Sequence, residues 1–123
     1  MCSSDLFYQA TQELGIANEV TTFTMSDFSR TFQPNSNSGS DHGWGSHHIV
    51  LGGAVKGAKL YGTYPTLALG GPDDFDTNGR WIPSTGTVQY AATLASWFGV
   101  SAAQLNMIFP SLGAFSSANL GFV

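Results

Sequence analysis

Between residues 20 and 25 the chain reads Val-Thr-Thr-Phe-Thr-Met, a β-branched and aromatic run without a single charge. Such a run fits a strand buried on both faces, as in a parallel sheet covered by helices. Upstream, Leu6, Phe7, Ala10 and Leu14 recur at helical spacing and Gly15 stands where a left-handed cap is wanted, which predicts an amphipathic helix over 5–14. A helix followed by a buried strand places the chain in the α/β class. Downstream, His48–Leu51 and Lys59–Tyr61 read as short strands. Val88, Ala91, Ala92, Leu94, Ala95 and Phe98 predict a helix over 87–98 with too broad an apolar face to leave one side wet. A further helix starts at Ser101, where Gln104 completes a capping box, and stops at Pro110. Eleven of the fifteen glycines lie between residues 39 and 86, and Gly70–Pro83 is turn chemistry.

Only 10% of residues are charged, against roughly 25% for an ordinary soluble domain. So few charges predict that part of the surface is interior in a larger protein and that the chain is a fragment. Residues 1–6, Met-Cys-Ser-Ser-Asp-Leu, resemble a start codon followed by the end of a sequencing adapter, which makes them a cloning scar and Cys2 non-native; otherwise they are a genuine start with one free thiol. Four basic against eight acidic residues give a net charge of -4, which excludes a general nucleic-acid binder. No apolar run approaches the roughly 18 residues that a membrane span needs.

Residues 26–46 hold six Ser, two Asn, three Gly and one Pro without either period, and read as a loop. Asp27, Arg30, Asp41, His42 and Trp44 mark it as a site loop, and all three histidines fall within seven positions. Asp27 follows a strand end, where ligands gather in α/β sheets. Asp41 and His42 could both hold a divalent metal from a loop, or could form a hydrogen-bonded turn. His47 and His48 alternate, so one faces the core and the other the solvent or the site. Arg30 could clamp an anion or brace the acidic loop by an ion pair. Ser26 lacks a nucleophile elbow and a neighbouring imidazole.

Four segments in order, Val20–Thr31, Gly39–His48 around Asp41-His42-Gly43, Gly52–Gly57 and Gln89–Gly99, with Asn119-Leu-Gly-Phe at the end, closely resemble the C-terminal part of the bacterial domain-of-unknown-function 1501 family. One departure is Ser29, where the usual motif has Gly; Arg30 is kept. That family is grouped with the alkaline phosphatase and sulfatase superfamily. The resemblance therefore implies residues 7–123 as the C-terminal part of one three-layer α/β/α domain, truncated at its N-terminus, in an exported or periplasmic parent. It implies a divalent metal (zinc, or calcium, magnesium or manganese) held by Asp27, Asp41 and His42, with His47 or His48 as a weaker ligand. Arg30 would then lie near a small anionic phosphate or sulfate ester. The nucleophile-bearing segment would lie upstream of residue 7, and the missing N-terminal part of the domain would be the chain's first partner. The rival reading is a non-catalytic exported protein that keeps the fold to bind a surface partner or polysaccharide.

Overall fold

The computed structural model describes residues 3–123, so Cys2 and the reading that makes it non-native lie outside the described residues. Over these residues the chain is mixed α/β, with three α-helices and two small antiparallel sheets, and it divides into two compact units.

The first unit comprises residues 3–24, Ile49–Tyr61 and Thr87–Val123. Helix α1 (Ser3–Glu13) closes in a Schellman motif, with the Gly15 N–H on the Gln12 carbonyl and the Ile16 N–H on the Thr11 carbonyl, both at 3.0 Å. Strand β1 (Thr21–Phe23) is shorter than the apolar run that predicted it, and only partly buried. It pairs antiparallel with the strand Val50–Gly52, in the register Thr22↔Leu51. This corrects the expectation of a parallel pairing: an uncharged β-branched run specifies an extended segment, whereas the partner's direction is set by the route of the intervening chain. The strand expected at Lys59–Tyr61 does not form.

Helix α2 (Thr87–Trp97) is packed on two sides, as its broad apolar face requires. Tyr90 and Leu94 join Phe122, with Val50, Tyr61, Leu120 and Val123 around them, while Ala92 joins Leu105 and Leu112. Between these clusters Thr93 is fully buried; its hydroxyl donates to the Gln89 carbonyl at 2.7 Å and accepts the Leu120 N–H at 2.9 Å, which ties the C-terminal segment to the helix. Helix α3 (Ala102–Ile108) starts at the expected capping box of Ser101 and Gln104. Pro110 opens a 3₁₀ turn, Pro110–Ala114. Beyond α2, Phe98 is 83% exposed and Met107 80%, as a chain short of charges would leave them.

Tyr90 donates its hydroxyl to the Thr24 carbonyl at 3.0 Å, and burial raises its pKa above the ordinary 10.0. The folded state therefore holds this proton more tightly than the unfolded chain does. The resulting stability is complete below about pH 10 and is lost as pH rises through the folded-state value. Unfolding free energy measured by urea titration should fall more steeply above about pH 10 in the native chain than in Tyr90→Phe; equal slopes would remove Tyr90 as the cause.

The second unit comprises Met25–His48 and Gly62–Gly86. Here the expected loop over 26–46 is a β-hairpin, β2 (Ser29–Pro34) and β3 (Ser40–Gly43), which makes Val50–Gly52 strand β4. Asn35 forms the turn: its Oδ1 accepts the N–H groups of Asn37 and Gly39, each at 3.0 Å. The buried centre of this unit is Trp81, 4% exposed, whose ring meets Phe32 edge-on at 4.7 Å.

Candidate functional site

The hairpin register sets the geometry of the site residues. Arg30 is the cross-strand partner of His42, so both side chains leave the same face, with Cβ atoms about 4.5–5.5 Å apart. Phe28 lies under both: the His42 ring stacks on it at 4.2 Å and 28°, and the Arg30 guanidinium carbon sits 5.3 Å from its centroid. Arg30 Nη1 also donates to the Ser40 carbonyl at 3.0 Å. A planar cation and an imidazole, both exposed and both backed by one ring, can receive an oxyanion at the surface.

Asp41 occupies the next position on β3 and therefore the opposite face. Its backbone N–H donates to Thr31 Oγ1 at 3.1 Å, and its carboxylate accepts from Asn35 Nδ2 at 3.0 Å and lies 3.8 Å from Arg80 Nη2. Arg80 has further partners: Nε donates to the His42 carbonyl at 2.9 Å, and Nη1 pairs with Asp76. Arg80 thus braces the backbone on which both Asp41 and His42 are carried. Its own loop is held by the Asp74 carboxylate, which accepts the N–H groups of Gly79 and Arg80 at 3.1 Å.

The remaining expected residues lie elsewhere. Asp27 is exposed in the connection ahead of β2. His47 stacks on Tyr64 at 4.8 Å, and His48 is half-buried; both precede β4 rather than alternating along it. Among the described residues no group of three or more His, Cys, Asp or Glu side chains stands close enough to hold one metal ion. Asp41 and His42 face opposite ways, and the Asp41 carboxylate already answers Arg80. Asp27, Asp41, His42, His47 and His48 are therefore not gathered into one donor set in this structure, whereas Arg30 and His42 are brought together. Besides Phe28, the candidate site contains a residue that the sequence pattern does not single out, Arg80. It is one of only four cations in the chain, and it closes the run Asp74-Phe75-Asp76-Thr77-Asn78-Gly79, whose side-chain acceptors were its signal.

No helix among the described residues is long and apolar enough to cross a membrane. Residues 4–78, more than half of the chain, match the model of a family described as "Protein of unknown function (DUF1501)". No curated protein and no solved structure matches the chain.

Proposed function

The chain belongs to the DUF1501 family, and from that premise we propose that it forms part of an exported hydrolase of small anionic esters, phosphate or sulfate, built on the three-layer α/β/α arrangement of the alkaline phosphatase-like superfamily. The observation that carries this reading is the exposed Arg30–His42 pair on one face of the β2–β3 hairpin, backed by Phe28. Arg30 would take two oxygens of the ester through its fork, and His42 would bond or protonate a third. A divalent metal, zinc or calcium, magnesium or manganese, would supply the charge that activates a Ser or Thr nucleophile in that superfamily. By the family resemblance Asp27, Asp41 and His42, with His47 or His48, would hold it, although the described residues do not gather them into one donor set. Export, and partnership with the rest of the same domain, are parts of the proposal that rest on the family resemblance.

A second reading, a non-catalytic exported binder of polysaccharide, is favoured by Trp44 and Phe75. Their rings meet at 4.2 Å and are 50% and 59% exposed, offering a face that a sugar ring could cover. Titration with inorganic phosphate, followed by amide and imidazole NMR, separates the two. The ester-hydrolase reading expects shifts centred on Arg30 and His42, and a loss of affinity of about tenfold or more in Arg30→Ala, in keeping with a charge-assisted hydrogen bond. Phosphate shifts that ignore Arg30→Ala, together with retention on a polysaccharide column that is lost in Trp44→Ala, would replace the first reading with the second.

A further inference from the structure

Asn78-Gly79 is the dipeptide in which a side-chain amide is lost most readily, because a following glycine places no Cβ around its backbone nitrogen. In that reaction the Gly79 nitrogen attacks Asn78 Cγ. The N–Cγ bond forms, the Cγ–Nδ2 bond breaks, and ammonia leaves with the proton of the Gly79 N–H. Water then opens the five-membered imide at either carbonyl, which yields aspartate or the β-linked isoaspartyl residue at position 78. The attack requires the peptide unit joining the two residues to rotate, and its nitrogen to shed a proton.

Both requirements are blocked here. The carbonyl of that peptide unit, Asn78 O, accepts the Gln33 N–H of β2 at 3.0 Å. The Gly79 N–H at its other end is held between both oxygens of the Asp74 carboxylate, each at 3.1 Å, and the Arg80 N–H bonds the same carboxylate. A peptide unit fixed at both ends cannot turn toward Cγ, and the carboxylate charge opposes the developing negative charge on the nitrogen. Asn78 itself is exposed, so water reaches the imide once it forms. We propose that Asn78–Gly79 is a latent modification site, kept unreacted by the Asp74 and Gln33 clamp and released when the 70–81 loop opens. Conversion to isoaspartate inserts an extra backbone bond two residues before Arg80, and so removes the brace on the His42 carbonyl and Asp41. The modification marks, irreversibly, those molecules whose loop has opened.

The test is peptide mass spectrometry of residue 78, for mass gain and isoaspartate, after incubation of the full chain near neutral pH. The folded chain should react about tenfold or more slowly than the same chain unfolded in urea, as for a site that reacts only through local opening. Asp74→Ala should bring the folded rate toward the unfolded one, and Asp74→Asn, which keeps an acceptor without the charge, should fall between. If circular dichroism shows Asp74→Ala unfolded, the Asp74→Asn rate and the native comparison decide. Equal rates in the folded and unfolded native chain would overturn the clamp. So would Asp74 variants that react no faster than the native protein, or more slowly, the latter making the carboxylate a base that promotes the attack.

Discussion

Trp81→Ala is expected to lower stability by about 3–5 kcal/mol, the range for truncating a large buried aromatic to alanine. Trp81 is 4% exposed, meets Phe32 edge-on, bridges Asp74 through its backbone and offers its carbonyl to the Gly45 N–H at 2.9 Å. Its indole Nε1 is buried with no acceptor among the described residues, so the ring contributes bulk rather than a hydrogen bond. Trp81→Phe therefore removes an unsatisfied donor along with some volume, and the two effects oppose one another. That variant should stay within about 1.5 kcal/mol of the native chain. Urea unfolding followed by far-ultraviolet circular dichroism measures both. A loss below about 0.5 kcal/mol in Trp81→Ala, the scale of exposed substitutions, would show that Trp81 is not the core of its unit.

The helices were legible because their signals are local. The spacing of Leu6, Ala10 and Leu14, the Ser101–Gln104 capping box and the two-sided face of α2 each depend on residues within a few positions. Strand pairing is not local. Thr21–Phe23 was recognisable as extended, but its antiparallel partner lies near residue 51, and nothing in the run itself encodes that direction. The β2–β3 hairpin resembles a loop in sequence for a further reason. Thr31 is its one buried β2 position, so the alternation that marks a half-buried strand is nearly absent, and Pro34 with the Ser and Asn around it mimics a coil. The turn at Asn35, whose side chain replaces backbone acceptors, was the cue available.

The same limit governs the site. Arg30, Asp41 and His42 could be named from residue type, but which of them share a face depends on register: Arg30 pairs across from His42, and Asp41 turns away to Arg80. Adjacency in sequence suggests Asp41 and His42 as joint ligands, whereas adjacency along a strand separates them. Arg80, far from the hairpin in sequence, becomes its brace only through the Asp74 turn.

Gly79→Ala tests that turn at its tightest point, with an expected loss of about 2–4 kcal/mol: roughly 1–2 from a left-handed backbone and the rest from overpacking. Gly79 sits at φ +77, and an added Cβ would stand 2.5 Å from Phe32 Cβ and 3.0 Å from the Phe32 backbone nitrogen. Neither neighbour is the free end of a flexible chain, so the 74–80 turn must shift. The Asp74 carboxylate then loses its hold on the N–H groups of Gly79 and Arg80, and the Arg80 guanidinium loses its aim at the His42 carbonyl. Thermal and urea unfolding should record the loss, and under the proposed function phosphate affinity at Arg30 and His42 should weaken with it although neither residue is altered. Thr77 offers the opposite sign. It holds φ 72 with a β-branched side chain, so Thr77→Gly should gain about 0.5–1 kcal/mol, as relief of left-handed strain exceeds the added entropy of the unfolded chain. If Gly79→Ala is neutral while Thr77→Gly destabilises, the turn does not hold the left-handed geometry on which the bracing of His42 depends.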